Sequence, residues 1–114
     1  MGATTVAAMS SPIARTPAPP YTAVIFSSLR TDGDNGYDAM AARMDTLAAQ
    51  QPGYLGIETA REGVGITISY WRSEADAVAW KQVMEHAEAQ RLGREQWYQR
   101  YVVRVATVYR EYGS

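Results

Sequence analysis

The sequence predicts an α+β fold of the ferredoxin-like type, with the element order βαββαβ. Three observations support this prediction: four runs of β-branched and aromatic residues, one apolar stripe with helical spacing together with the capping signals of a second helix, and turn residues at the connections between them. In this arrangement the strands form one four-stranded antiparallel sheet, and the two helices pack on one face of it. A chain of 114 residues is long enough for one such domain and too short for two.

The first part of the chain predicts a strand, a helix and a second strand. The run YTAVIFSSL, which starts at Tyr21, is β-branched and aromatic, as strands are. After the loop TDGDNG, apolar side chains recur at three- and four-residue steps, which predicts a helix from about Gly36 to Gln50. Pro52 ends this helix because proline disfavours helical geometry in the residue before it. The run YLGIETAR from Tyr54 predicts the second strand.

The second part predicts a hairpin, a helix and a last strand. GITISYWR follows the tight connection REGVG and predicts a third strand that pairs with the second. Ser73 offers an oxygen to cap a second helix that runs to about Leu92, and Glu74 and Asp76 complement the helix dipole in its first turn. The segment YQRYVVRVATVYREY predicts a long final strand.

The final strand carries apolar or aromatic residues on both faces, which predicts a homodimer. A strand that is apolar on both sides is covered on both sides. The two helices cover one face of the sheet, and the simplest cover for the other face is a second copy of the same sheet. We therefore expect a dimer with a two-fold interface.

Residues 1–20 predict a flexible or extended arm, and residues 21–114 the folded domain. Four of the five prolines lie between Pro12 and Pro20, and the arm lacks both a secretory signal pattern and a membrane span. The net charge of −1 argues against nucleic-acid or membrane partners. A chain without cysteine and with one histidine predicts no disulfide and no tightly held metal, and is compatible with a cytoplasmic location.

Three stretches resemble the antibiotic biosynthesis monooxygenase domain family: QPGYLGIETARE, ITISYWRSEADAVAWKQ and RVATVYREYG. The resemblance covers roughly Tyr21 to Gly113 and includes a tryptophan that ends strand three and another nine residues later. It implies a dimeric α+β barrel, made by two sheets packed face to face, with a pocket in each subunit between sheet and helices. It also implies oxidation of a small aromatic or polyketide-like molecule by molecular oxygen without metal, flavin or other cofactor.

The candidate site residues follow from this chemistry. Oxygenation without a cofactor requires removal of a phenolic or enolic proton, and His86 is the only side chain with an unperturbed pKa near neutrality, so it is the candidate catalytic base. Trp71 and Trp80 are candidates to line a pocket for an aromatic substrate, although both could simply pack the core. Further pocket or interface candidates are Tyr54, Tyr70, Trp97, Tyr98 and Tyr101.

Some members of the family degrade haem, and that function is an alternative. Those members have an asparagine in strand one, a tryptophan on helix two and an iron-binding histidine ten residues later. Trp80 matches the tryptophan, but Gln90 stands at the histidine position and strand one has no asparagine, so Gln90 is kept as a substrate-binding candidate. A second alternative is a non-catalytic dimeric module that binds a small hydrophobic ligand. A His86 that points to bulk solvent would remove its catalytic role and leave ligand binding possible.

Overall fold

The computed structural model describes residues 12–34, 36–91 and 97–114, without the side chains of residues 87–91. Within that part it contains the predicted elements in the predicted order. The strands are β1 (Tyr21–Arg30), β2 (Tyr54–Arg61), β3 (Gly65–Trp71) and β4 (Tyr98–Val108), and the helices are α1 (Tyr37–Ala49) and α2 (Glu74–Arg91). The βαββαβ prediction is confirmed.

The four strands form one antiparallel sheet in the order β2-β3-β1-β4. Helix α1 packs on β2, and α2 packs on β1 and β3. Ala48 of α1 and Ala77 of α2 belong to one buried cluster with Val24 and Trp71, so both helices cover the same face of the sheet. We call this the inner face, and the opposite side the outer face.

Side chains near both helix starts satisfy backbone N–H groups that have no partner within the helix. The carboxylate of Asp34 accepts hydrogen bonds from the backbone N–H of Gly36 at 3.0 Å and of Asp38 at 3.1 Å. The predicted cap of α2 is confirmed: the hydroxyl of Ser73 accepts a hydrogen bond from the backbone N–H of Asp76 at 3.1 Å and donates one to its carboxylate at 3.0 Å. Both helices therefore begin where local sequence places them.

The final strand is shorter than the sequence predicts. Strand β4 ends at Val108, which pairs with Tyr21, the first residue of β1. Beyond Val108 the neighbouring strand has no further residue to pair with, so the ladder stops. Tyr109 and Tyr112, which were predicted to continue the strand, are exposed.

Residues 12–20 and the C-terminal tail are held near the start of β1. The backbone N–H of Ala14 donates a hydrogen bond to the carboxylate of Glu58 at 2.9 Å. The carboxylate of Glu111 accepts hydrogen bonds from the hydroxyl of Thr16 at 2.7 Å and from that of Tyr21, and the two hydroxyl oxygens lie 3.0 Å apart. The first eleven residues of the predicted arm lie outside the described part, and the division of the chain after residue 20 stays a prediction.

Candidate functional site

A partly open cavity of about 100 Å³ lies between the inner face of the sheet and the two helices. Strands β1, β2 and β3 form its floor, and both helices and the start of β4 form its walls. Its described lining consists of Val24, Phe26, Tyr37, Met40, Ala41, Met44, Asp45, Ile57, Thr67, Ser69, Trp80, Met84, Trp97 and Tyr98. This is the place where the family resemblance implies a pocket.

The size of the cavity limits what it can hold. A volume of about 100 Å³ is smaller than the roughly 150 Å³ of an engineered apolar cavity that binds benzene. Three lining residues are methionines, Met40, Met44 and Met84, whose unbranched side chains change rotamer readily. A single aromatic ring therefore fits if these side chains move or if the ring protrudes through the opening.

Aromatic rings form the end of the cavity near the start of α1. The ring of Tyr37 meets Trp97 and Tyr98 edge to face, with centroid distances of 6.2 Å and 6.0 Å. Phe26 stacks on Tyr101 at 5.4 Å and meets Tyr98 edge to face at 5.3 Å. Such contacts fix the orientation of the rings beyond what burial alone provides. Of the three aromatic candidates near β4, Trp97 and Tyr98 line the cavity, and Tyr101 supports Phe26.

The two tryptophans of the family-like motif occupy different layers. Trp80 is buried and lines the cavity. Trp71 is completely buried, does not line the cavity, and stacks on Trp80 with a centroid distance of 5.7 Å and an interplanar angle of 23°. Its indole N–H donates a hydrogen bond to the hydroxyl of Ser69 at 2.9 Å. Trp71 thus belongs to the core and positions Trp80, and Trp80 is the one available to a ligand.

Asp45 places a carboxylate in the described lining of this apolar cavity. The residue as a whole is exposed, yet partial burial of its carboxyl raises the pKa of Asp45. Burial, and then the charge of Asp45, also raise the pKa of Tyr54, so the field of the carboxylate reaches that ring. A carboxylate with a raised pKa is a stronger proton acceptor than an ordinary one.

Sequence reasoning missed Asp45, although a signal was present. Asp45 follows Ala41 by four residues and Tyr37 by eight, so it lies on the same helix face as these two lining residues. An apolar stripe predicts only the buried face of a helix, and Asp45 lies at the edge of that stripe.

Tyr54 and Tyr70 lie outside the described lining of the cavity. Tyr54 is half-buried and meets Trp71 edge to face at 5.7 Å. The hydroxyl of Tyr70 donates a hydrogen bond to Glu58 at 2.7 Å, and its ring meets Tyr21 edge to face. Burial, and then the hydrogen bond to Glu58, raise the pKa of Tyr70. Both tyrosines pack against other parts of the sheet and do not face the cavity.

The structure does not bring His86 into the cavity. His86 is exposed on α2 and does not belong to the described lining. Gln90 lies in the last part of α2, where side chains are outside the described part. The roles of His86 as a base and of Gln90 as a substrate contact stay predictions from sequence, and the function proposed below depends on neither.

Within the described residues, no three histidine, cysteine or acidic side chains lie close enough together to hold a metal ion. No helix in the same part of the chain is long and apolar enough to cross a membrane. The polar groups that the described lining offers to a ligand are the carboxylate of Asp45, the hydroxyls of Thr67 and Ser69, and the polar tips of the aromatic residues.

Comparison with known proteins finds a relative at high sequence identity. No family model matches the chain. The uncharacterized protein YqjZ of Bacillus subtilis (strain 168) is 50% identical over 101 residues, which cover 87% of this chain and 89% of YqjZ. The two chains are therefore similar over nearly their whole lengths.

Solved structures with the same fold are more distant in sequence. A proposed antibiotic biosynthesis monooxygenase from Bordetella bronchiseptica matches with a TM-score of 0.60 and 18% identity, over 77% of this chain and 96% of that one. SnoaB from Streptomyces nogalater, described as a cofactor-independent oxygenase, matches with a TM-score of 0.59 and 14% identity, over 83% and 97% of the two chains. At such identities the match shows a common fold and leaves activity to be argued from the site.

Proposed function

Because this chain belongs to the same family as YqjZ and has the fold of the antibiotic biosynthesis monooxygenase domain proteins, we propose that it is a cytoplasmic, cofactor-independent monooxygenase of a small aromatic or polyketide-like compound. The βαββαβ fold that the resemblance implies for one subunit is confirmed. The observation that carries the proposal is the carboxylate of Asp45 in the wall of an aromatic-lined cavity. Asp45 takes the place of His86 as the proposed base.

The proposed reaction converts an activated CH₂ group of the substrate into a carbonyl group. Asp45 accepts a proton from this carbon, and the resulting carbanion passes one electron to molecular oxygen. The radical pair combines to a peroxide anion, which takes the proton back from Asp45. The hydroperoxide then loses water: the O–O bond breaks, one oxygen atom stays in the product carbonyl, and the other leaves with the two hydrogens of the CH₂ group. The substrate supplies all four electrons, so no reductant is needed.

The cavity supports this reaction through its apolar walls. Trp80 and Phe26 are flat surfaces against which an aromatic substrate packs. A bound substrate covers part of the cavity from water, and this cover protects the carbanion from protonation by solvent. The methionines allow the cavity to enlarge around a ring.

Oxygen consumption tests the proposal. We expect purified protein to accelerate oxygen uptake by a panel of one- and two-ring phenols with an acidic CH₂ group, at least tenfold above the uncatalysed rate, without added metal, flavin or nicotinamide. Mass spectrometry after reaction under ¹⁸O₂ should show one labelled oxygen atom in the product. A panel that binds to the cavity without any oxygen uptake would refute the oxygenase.

A non-catalytic binding module is the second candidate function. The small, largely apolar cavity favours it, because such a cavity captures a hydrophobic molecule without any chemistry. Haem degradation is not proposed. A porphyrin has four pyrrole rings, which greatly exceed a cavity of about 100 Å³, and Gln90 replaces the histidine that the haem-degrading relatives use.

The outer face supports the proposal of a homodimer. Leu29 and Ile66 lie on this face by strand alternation and are 40% and 41% exposed. Ile25, Ile68 and Val102 lie beside them and are half-buried. An apolar sheet face of this kind is covered in a stable protein, and a second copy of the same face covers it symmetrically.

Light scattering after size-exclusion chromatography tests the dimer. We expect a mass of about twice that of the chain for the wild-type protein and a shift toward the monomer for Ile66→Glu, because a buried unpaired charge opposes association. Val64→Glu is the matched control, since Val64 is 54% exposed in the hairpin turn outside the sheet face. A monomeric wild-type protein at micromolar concentration would contradict the dimer, as would equal effects of the two substitutions.

A further inference from the structure

Arg61 lies just beyond one end of the cavity, whose described lining includes neither Arg61 nor Arg30. Phe26 and Thr67 line the cavity and face each other on neighbouring strands. The next inner positions on these strands, Ser28 and Gly65, also face each other and lie about 7 Å further along. The guanidinium of Arg61 lies over this second pair and donates a hydrogen bond to the hydroxyl of Ser28 at 2.6 Å.

Gly65 provides the space that the Arg61 side chain needs. A Cβ atom at Gly65 would lie 2.1 Å from the guanidinium carbon of Arg61, which is far inside van der Waals contact. Gly65 is buried, so the guanidinium covers it instead of a side chain of its own. Arg61 is itself exposed, so this end of the cavity can be reached from solvent.

Arg30 brings a second positive charge to the same end. Its guanidinium carbon lies 3.6 Å from the centroid of the Tyr37 ring, and that of Arg61 lies 5.9 Å from the same centroid. The two charges are therefore within roughly 10 Å of each other, about one Debye length at 0.1 M salt. The Nη2 of Arg30 donates to the carbonyl oxygen of Gly33 at 3.0 Å, and its Nε is buried without a hydrogen-bond partner in the described structure.

Neither guanidinium has an acidic partner among the described residues. The ion pair present there joins Lys81 and Glu85 on α2. Two arginines that share one ring repel each other unless an anion lies between or beside them. A planar guanidinium binds a carboxylate with two parallel N–H···O hydrogen bonds. The Nε of Arg30, which has no hydrogen-bond partner in the described structure, can donate one of them.

The cavity is therefore polarised along α1. Tyr37, whose ring contacts the two guanidiniums, and Asp45 both line the cavity. They are eight residues apart on the helix, which corresponds to about 12 Å along its axis. Positive charge lies at one end, the carboxylate lies at the other, and the apolar and aromatic walls lie between them.

We propose that Arg30 and Arg61 form an anion-binding subsite that selects an aromatic substrate with a carboxylate group. The inference extends the proposed function, because it assumes the same cavity. The carboxylate of the substrate lies against the two guanidiniums, its ring packs between Phe26 and Trp80, and its far side faces Asp45. The subsite thus determines which carbon of the substrate meets the base.

Binding of benzoate and of its neutral isostere benzamide tests the subsite. Both have one ring. Their dissociation constants can be measured by isothermal titration calorimetry and, independently, by the change in tryptophan fluorescence on titration. We expect benzoate to bind at least tenfold more tightly than benzamide. Arg61→Gln and Arg30→Gln should each weaken benzoate binding at least tenfold and leave benzamide binding within a factor of two. Arg61→Lys retains the charge without the planar guanidinium, so its affinity for benzoate should lie between those of the wild type and Arg61→Gln.

Arg43→Gln is the matched control, because Arg43 is exposed in the middle of α1, six residues beyond Tyr37, and its replacement changes the net charge equally. Equal affinities of the two probes, no benzoate binding at millimolar concentrations, or an equal loss in Arg43→Gln would each overturn the subsite. Oxygen uptake separates this inference from the proposed function. Arginine-dependent benzoate binding in a protein without uptake retains the subsite and refutes the oxygenase. Uptake with a carboxylate-bearing phenol that is unaffected by both arginine variants refutes the subsite alone.

Discussion

Replacement of Trp71 by alanine is expected to lower the free energy of unfolding by roughly 3–5 kcal/mol, the largest effect on stability of any change considered. The indole is completely buried, stacks on Trp80 and meets Tyr54 edge to face. Its removal opens a void where α2 and the sheet meet, and leaves the hydroxyl of Ser69 without the indole N–H donor. Urea denaturation followed by circular dichroism measures the change.

Two further variants make the result interpretable. Trp71→Phe retains a ring and loses the N–H donor, so we expect a smaller loss, which also covers the case in which the alanine variant does not fold. Tyr109→Ala removes a large aromatic side chain that is 82% exposed and should change stability by no more than about 0.5 kcal/mol. A Trp71→Ala protein as stable as Tyr109→Ala would show that the two indoles do not join helix to sheet.

Replacement of Asp45 by asparagine is expected to lower kcat/KM for oxygen uptake by at least about 100-fold. The amide has nearly the same shape as the carboxylate and cannot accept the proton of the substrate, so binding of the substrate should change little. Asp38→Asn is the control, because Asp38 is on the same helix, exposed, and outside the cavity lining. Steady-state oxygen uptake of the three proteins measures the effect, and unchanged activity in Asp45→Asn would remove Asp45 as the base.

The pH dependence of the same variant gives an independent result. The reaction needs the ionised carboxylate, so the wild-type rate should rise with pH through the raised pKa of Asp45 and then level off. The contribution of Asp45 to folding stability changes in the opposite direction with pH. A pKa raised in the folded state means that the protonated carboxyl favours folding below its unfolded pKa, and that this contribution is lost as pH rises through the folded pKa.

Asp45→Asn should therefore gain stability relative to wild type at neutral pH and none at acidic pH, since asparagine does not ionise. Thermal unfolding at both pH values measures the difference. A variant that is inactive but more stable at neutral pH indicates a residue kept for function at the expense of stability. A variant less stable than wild type at neutral pH would contradict the partial burial of the carboxyl.

Local patterns in the chain were enough to predict every strand and helix of the described structure, because these patterns reflect local backbone preferences. Spacing placed α1, Ser73 identified the start of α2, and YLGIETAR gave β2 with its observed bounds. The end of β4 could not be predicted in this way, since it depends on where β1 begins. The βαββαβ order predicted the packing of these elements into one sheet with both helices on one face, and the family resemblance added the expectation of a pocket between them.

The site depended on tertiary structure far more strongly. Trp71 and Trp80 were equal candidates to line the pocket, yet of the two only Trp80 reaches the cavity, because Trp71 lies one layer deeper against Ser69. His86 is a candidate base by residue type alone, and the position of α2 leaves its side chain exposed.

Asp45, Arg30 and Arg61 look like ordinary charged residues until the fold brings three separate segments together around one space. Strand register places Arg61 over Gly65, and the packing of α1 on the sheet sets Tyr37 beside both guanidiniums. Secondary structure follows from neighbours in the chain, whereas burial and charge around a cavity follow from neighbours in space, and those neighbours exist only once the helices have packed on the sheet.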